Sequence, residues 1–359
     1  MKEALSRFSQ EELLGRSSPP LELVGTEESI AGRRVLVTGA AGSVGGPLTR
    51  LLAKLAPASL LLLDHHEHSL FRLRQETGSQ LTVPARWVLA DVRDRRKLDR
   101  IFQEYRPEVV FHLAAYKHVP LGEENPDQTV EVNLAGTRSL IEASAEAGVS
   151  RFIYPSSDKA VNPPSVYGGT KRIAERLTQA AGREFPMGLS IVRFVNIVGT
   201  RGSVIETLSA QIAAGKPLTL TDPAMTRYWI TMPEATRLLV QTACAPHSGV
   251  IFMPDSGPAV NLGEMARHLY HLLVPGDGEC PVQYIGARPG ERMHEILLSD
   301  YERATPTAYP GIVEVVSSRT GIPSYGEMSG LIDGLLEMAY AGRLANLRSK
   351  VLDLAQSLQ

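Results

Sequence analysis

A chain of 359 residues with 37 lysines and arginines against 39 aspartates and glutamates offers no excess positive charge to a nucleic acid. Its 43% apolar share, with no long biased segment, excludes disorder and allows a substantial core. Two cysteines, Cys244 and Cys280, are too few for a disulfide framework or a thiolate zinc site, and the longest apolar run, Leu60 to Leu63, stops at Asp64, far short of a membrane span. With no apolar signal core in the first ten residues, a soluble cytoplasmic protein is expected.

Residues 1–31 read as a polar lead-in with a short helix around Glu11 to Arg16, followed by Pro19 and Pro20. From Arg33, short apolar runs at 35–37, 60–63, 85–89, 109–113, 152–154 and 189–194 alternate with amphipathic stretches such as 47–55, 95–105 and 130–147. In those stretches apolar residues recur every three or four positions, as on one face of a helix. Apolar strands alternating with helices predict an α/β fold, a Rossmann-like doubly wound parallel sheet covered on both faces. After Gly199 the alternation fades into shorter elements rich in Pro and Gly. Residues 200–324 are expected to form mainly a smaller C-terminal α/β substrate-binding lobe, and residues 325–359 a helical tail. No internal repeat is visible.

The first strand ends in Gly39, Ala41, Gly42, Ser43, Val44 and Gly45, a glycine-spaced turn opening a helix. Such a turn lets backbone approach a pyrophosphate at a helix N-terminus, where free N–H groups and the dipole favour an anion. The second strand ends at Asp64, next to His65, where a carboxylate meets adenosine ribose hydroxyls and repels a 2′-phosphate, which favours NAD over NADP. The third ends in Asp91 and Val92, expected by the adenine, and the fourth in Ala114 and Ala115, small enough for the nicotinamide side to approach. Residues 32–199 are therefore expected to form the NAD-binding domain. His65, His66 and His68 are read as solvated residues at a helix start, and no metal site is expected.

The fifth strand runs into Ser157-Asp158-Lys159, followed by Tyr167 and Lys171 one helical turn apart on one face. In such a pair the ammonium lowers the phenol pKa, so that Tyr167 takes a proton from a substrate hydroxyl while Lys171 holds the nicotinamide ribose. Asp158-Lys159 adds an adjacent acid and base. Once a sugar C4 hydroxyl is oxidised, the C5 hydrogen becomes acidic, and a base at C5 with an acid at the C6 hydroxyl expels water. Lys159 is expected to be neutral, through burial and the charge of Lys171, and Asp158 protonated at an apolar strand end.

These segments, with Ala114-Ala115-Tyr116-Lys117-His118-Val119-Pro120, Thr221 to Tyr228 and Arg288-Pro289-Gly290-Glu291-Arg292, resemble the nucleotide-sugar 4,6-dehydratases of the extended short-chain dehydrogenase group. The likeness is greatest to bacterial UDP-N-acetylglucosamine 4,6-dehydratases and runs from Leu13 to about Leu298. It implies Ser157, Asp158, Lys159, Tyr167 and Lys171 as catalytic residues. Lys117 and His118 would lie at the sugar, and Asn196, Arg227, Arg288 and Glu291 at the nucleotide diphosphate. It further implies NAD as cofactor, a nucleotide sugar as substrate, and a homo-oligomer engaging neither nucleic acid nor membrane. Tyr167 matches the shorter, C5-inverting relatives, whereas Asp64-His65-His66-Glu67 matches the long, C5-retaining ones, so retention or inversion stays open. Two other readings compete. A nucleotide-sugar 4-epimerase would keep Tyr167 and Lys171 but has no use for Asp158 and Lys159, and an NAD-binding sensor would need no catalytic set.

Overall fold

The computed structural model describes residues 8–17, 23–276, 278–319 and 321–359. Its centre is a nine-stranded sheet: β1 (Arg34–Thr38), β2 (Ser59–Asp64), β3 (Ala85–Leu89), β4 (Val109–His112), β5 (Arg151–Ser157), β6 (Gly188–Phe194), β7 (Val250–Pro254), β8 (Glu302–Pro306) and β9 (Ile312–Ser317). The spatial order is β8-β9-β7-β6-β5-β4-β1-β2-β3. Neighbours from β3 to β7 are parallel, and β8 and β9 close one edge as an antiparallel pair. The order 3-2-1-4-5-6 is that of a doubly wound sheet, whose direction reverses between β1 and β4 and leaves a crevice at the carboxyl ends of those strands.

The apolar runs become central strands because both of their faces are covered. Leu36, Leu61, Val110, Phe152 and Ile191 point to one core, while Val35, Val37, Leu60, Leu62, Phe111, Ile153 and Val192 point to the other. That is the two-residue alternation of a strand buried on each side. The helices layered on the sheet are α1 (Gly45–Ala53), α2 (Glu67–Thr77), α3 (Arg95–Tyr105), α4 (Gly136–Glu146), α5 (Val166–Glu184), α7 (Met232–Thr242), α9 (Tyr325–Tyr340) and α10 (Leu344–Ser357), while α6 (Val204–Ala213) and α8 (Leu262–Leu273) belong to a separate lobe. In α3, Asp94 caps the start by accepting from Lys97 N, and Leu98, Ile101 and Phe102 form the buried stripe.

A third core joins Leu13, Val198, Ile205, Leu208, Leu218, Leu220, Trp229, Leu262 and Met265 into a separate lobe. The lead-in helix Gln10–Leu14 packs into it through Leu13, and Arg16 pairs with Glu234 at 3.1 Å. Pro19 and Pro20 lie outside the described residues. The expected single lobe over 200–324 differs from the chain's path, because β7, β8 and β9 return to the main sheet. Their runs are too short and too far apart in sequence for periodicity to assign them to a sheet begun 200 residues earlier. The helices from Tyr325 onward form a layer over α5: Leu347, Val351, Leu354 and Ala355 share a core with Ile173, Ala174, Leu177 and Ala181. Among the described residues no helix is long and apolar enough to cross a membrane.

Candidate active site

The glycine turn follows β1. Gly39 has φ +64°, and a Cβ there would stand 2.7 Å from the Ala114 nitrogen, so the turn presses against the end of β4 in a way that only glycine allows. The two strand ends are also joined by side chains. Thr38 Oγ1 accepts from Ala114 N at 3.3 Å and meets His112 Nδ1 at 2.8 Å, and His112 Nε2 meets Thr137 Oγ1 at 2.9 Å. Burial, with the charge of Lys171, pushes His112 down to about 3, so a neutral imidazole stands at the switch point.

Asp64, buried at the end of β2, accepts from Ala41 N through one oxygen and from His66 N through the other, both at 2.9 Å. It therefore braces the glycine turn. His66 caps α2 by accepting from Ser69 N, while His65 is exposed beside Asp64. Among the described residues no group of histidine, cysteine, aspartate or glutamate is arranged to hold a metal ion. Asp91 forms a forked ion pair with Arg93, closest at 2.7 Å, and Val92 is buried next to it. Burial raises the Asp91 carboxyl, but the Arg93 contacts outweigh it and hold the group below its ordinary range.

Sequence reading missed Arg201. Its backbone N–H donates to Ser43 Oγ at 3.0 Å, and its guanidinium donates to the Ala41 carbonyl. Lys117 Nζ donates to the Arg201 carbonyl at 2.9 Å, and the His118 ring lies against Gly202. Lys117 and His118 thus join the lobe's first loop to the glycine turn. Asn133 was also missed. It accepts from Tyr116 N and donates to Tyr116 O and Thr170 Oγ1, tying the segment after Ala115 to α5 from within a π-helical turn.

The candidate catalytic residues gather where β5 ends. Ser157 Oγ accepts from Lys159 N at 3.3 Å and so starts the short 3-10 turn Asp158–Ala160; it also donates to Asp158 Oδ1 at 2.9 Å. Helix α5, capped by Ser165, then brings Tyr167 back over this turn. A Cβ on Gly168 would lie 3.0 Å from Pro163 Cβ and hard against the Lys159 carbonyl, so glycine lets the helix start this close. The Tyr167 phenol faces Ser157, which favours its anion. Lys159 Nζ lies 3.1 Å from Asp158 Oδ1 and 3.1 Å from Glu295 Oε1. Asp158 Oδ2 is buried and has no protein partner. Ser157, Asp158, Lys159 and Tyr167 thus form one cluster, joined by Glu295, a residue no local pattern points to.

Two electrostatic expectations are corrected by this geometry. Lys159 is not neutral here: burial opposes its charge, but the carboxylates of Asp158 and Glu295 prevail and hold the ammonium above the ordinary lysine range. The Tyr167 phenol is raised by burial and pulled back only in part by Lys159 and Ser157, so the cation that favours the phenolate is Lys159 rather than Lys171. Lys171 itself, buried, donates to Pro155 O at 2.8 Å, and burial brings it down to about 7 against the pull of Glu175.

Among the diphosphate candidates, Arg227 spends its guanidinium on protein: Nη1 donates to Thr226 O and Met293 O, Nη2 to Arg292 O, and Nε faces Glu295 at 3.4 Å. Asn196 donates to Tyr228 O at 3.1 Å. The Arg288 side chain is exposed, and its backbone N–H donates to Glu291 Oε2 across a tight turn. Gly290 sets that turn against Ser165 and Val119, at the rim of the cluster.

Residues 35–317 match the family described as polysaccharide biosynthesis protein. The probable polysaccharide biosynthesis protein EpsC of Bacillus subtilis is 40% identical over 304 residues, 84% of this chain and 51% of that protein. The chain spans about half the length of the first curated relatives it matches. A UDP-N-acetylglucosamine 4,6-dehydratase (inverting) of Campylobacter jejuni is 34% identical over 273 residues, covering 75% of this chain and 78% of that protein. Among solved structures, Pen from Bacillus thuringiensis superposes with a TM-score of 0.75 at 27% identity, over 85% of this chain and 99% of that one. The dTDP-glucose 4,6-dehydratase DesIV from Streptomyces venezuelae, solved with NAD and TYD, has a TM-score of 0.65 at 24% identity, over 74% and 88% of the two chains, and shares the fold. The match over most of the chain, with this fold and these site residues, makes the chain a member of the polysaccharide biosynthesis protein family.

Proposed function

We propose that the chain is an NAD-dependent nucleotide-sugar 4,6-dehydratase that converts UDP-N-acetylglucosamine to a UDP-4-keto-6-deoxy-N-acetylhexosamine. The observation that carries this reading is the Asp158–Lys159 ion pair beside Tyr167. An epimerase has no use for a second acid and base at that place. The name of the Campylobacter relative supports the substrate.

The residues fit NAD. The glycine turn sits at the carboxyl end of β1, at the switch point. Each Asp64 oxygen accepts one backbone N–H and keeps acceptor capacity for a ribose hydroxyl, while its charge repels a 2′-phosphate. Arg201 adds a cation over the turn, where a pyrophosphate lies in such folds. Lys171 would hold the nicotinamide ribose. When bound, NAD supplies the acceptor for the C4 hydrogen and the donor to C6.

The chain's own residues account for the proton movements. Tyr167 takes the C4 hydroxyl proton, with Lys159 favouring its anion. Transfer of one proton from Lys159 Nζ to Asp158 Oδ1, across 3.1 Å, turns the ion pair into an amine and a carboxylic acid. The amine takes the C5 proton, and the C5–H electron pair forms the C5–C6 double bond. As the C6–O bond breaks, Asp158 protonates the departing oxygen and water leaves. Lys159 is again an ammonium and Asp158 a carboxylate; as C6 takes hydride, Lys159, its protons exchanged with solvent, returns one to C5, and the proton held by Tyr167 recharges it, so the starting set is restored. This route removes the need for a resting neutral Lys159.

The test is incubation with a panel of nucleotide sugars in deuterated water, read by mass spectrometry and NMR. The expected product has lost water and carries deuterium at C5; unchanged mass with an inverted C4 would identify an epimerase. Denaturing the purified protein is expected to release NAD, and release of NADP would overturn the role given to Asp64.

A further inference from the structure

Glu295 is the one carboxylate at the chemical centre that the mechanism above does not use. Its side chain is buried, and it touches Lys159 on one side and Arg227 on the other. Arg227 in turn grips three carbonyls of two adjoining segments, Thr226, Arg292 and Met293. Thr226 completes the clamp, its N–H donating to Met293 O at 3.0 Å and its hydroxyl meeting His294 Nδ1 at 2.9 Å. From the same segment, Arg292 Nη1 donates to Val161 O, just past the catalytic turn. The lobe therefore holds Glu295 in a fixed place against the end of β5.

We propose that Glu295 is a positioning residue of the elimination, aimed by Arg227, which holds the Lys159 nitrogen in place while Asp158 turns to the leaving oxygen. The proposal rests on the dehydratase reading. Once Lys159 has passed its proton to Asp158, the amine needs another acceptor to keep its lone pair directed at C5. A carboxylate that accepts an amine N–H does this and also strengthens the base. The charged and titratable groups around Lys159 are Asp158 on its own turn, Tyr167 from α5, Lys117 from the segment after β4, and Glu295, with Arg292 facing both carboxylates. Lys117 opposes the ammonium; Asp158 and Glu295 supply the opposing charge at contact distance.

The chain has eight lysines, so Lys159 can be followed by NMR of enzyme labelled with ¹³C at lysine Cε, its signal assigned by loss in Lys159→Arg. In the NAD-containing wild type, Lys159 is expected to stay protonated beyond the ordinary lysine value of about 10.4. Glu295→Gln keeps an oxygen acceptor but loses the charge, and should lower that titration by about 1–3 pH units. The alkaline limb of the kcat profile, where Lys159 loses the proton it must pass to Asp158, should move to lower pH with it, and kcat should fall about tenfold or more while KM stays within about twofold. Glu295→Asp should restore the titration and leave only the loss in kcat. A wild-type Lys159 that titrates at or below the ordinary value overturns the proposal, whether or not the variant folds. So does Glu295→Gln with an unmoved titration and limb. If the wild type dehydrates no sugar while Glu295→Gln still moves the Lys159 titration, the dehydratase reading fails and the Glu295–Lys159 link stands.

Discussion

Helix α5 borders two clusters of charge, meeting them through the adjacent Lys171 and Arg172, and they are built to opposite ends. Toward the interior, Arg172, Glu175, Arg193 and Glu302 form a closed square: Arg172 lies 3.1 Å from Glu175 and 3.2 Å from Glu302, and Arg193 lies 3.0 Å and 2.9 Å from the same two. Within the square two cations meet two anions, with Leu297 O and Leu358 O accepting further guanidinium N–H groups; Arg172 Nη2 has no partner among the described residues, and the neighbouring Arg176, which shares Leu358 O, is brought down to about 10 by burial and the charge of Arg172. Toward the crevice, the balance is broken. Lys159 faces two carboxylates, Asp158 Oδ2 has no protein partner, and Lys171 relies on one carbonyl and the Tyr154 ring 4.7 Å away. A buried charge is tolerable when paired and hydrogen-bonded, and costly otherwise. The interior cluster is thus a fastener among α5, β6 and the start of β8. The crevice cluster keeps its groups near proton transfer and carries an energetic cost that substrate and cofactor can relieve.

The largest contrast should come from Tyr167→Phe. Removal of the hydroxyl is expected to lower dehydration roughly 10²–10⁴-fold, the range of general-base catalysis, while thermal melting shows a fold as stable as the wild type. On the interior side, Glu302→Gln is expected to cost about 3–5 kcal/mol in urea unfolding, because it leaves Arg193 and Arg172 buried and half paired. The pH dependence follows from the same contacts. Although burial raises both carboxyls, the arginines prevail and depress Glu175 and Glu302 below the ordinary value. Their stabilisation is therefore present above about pH 4.3, the unfolded value, and is lost as pH falls below it. Unfolding of wild type and Glu302→Gln should converge in acid; parallel curves would remove the cluster from its role as fastener.

The smallest expected effect has the opposite sign. Lys171→Met should stabilise the protein freed of NAD by on the order of 2 kcal/mol at pH 6, measured by denaturant unfolding. Because the folded pKa of about 7 lies below the unfolded value, unfolding takes up a proton between the two. The cost of Lys171 is full below pH 7 and fades as pH rises toward the free lysine value, so the variant's advantage should shrink over that window. A variant less stable than wild type at pH 6 would show that Lys171 is as well satisfied as the interior arginines.

Much of this molecule is local in origin and was legible as such. The runs at 35–37 and 60–63 become central strands, the glycines after Thr38 become the turn at the switch point, and Asp64 ends β2 against that turn. Asp158 and Lys159 are chain neighbours, and Tyr167 and Lys171 share a helix face, so period and adjacency alone bring each pair together. Proximity in space between distant segments has no such signature. Glu295 reaches Lys159 from 136 positions further along the chain, Arg201 reaches Ala41 from the lobe, and Glu302 completes a square begun on α5. The charge states turned on those distant partners: Lys159 is an ammonium because Glu295 joins Asp158 beside it, and Lys171 falls to about 7 because burial gives it no full counter-charge. Sequence determined which groups are present and which neighbours share a face. Only the tertiary structure decided their pairing and protonation, because Coulomb and desolvation energies depend on distance and burial, and both are set where segments far apart in the chain meet.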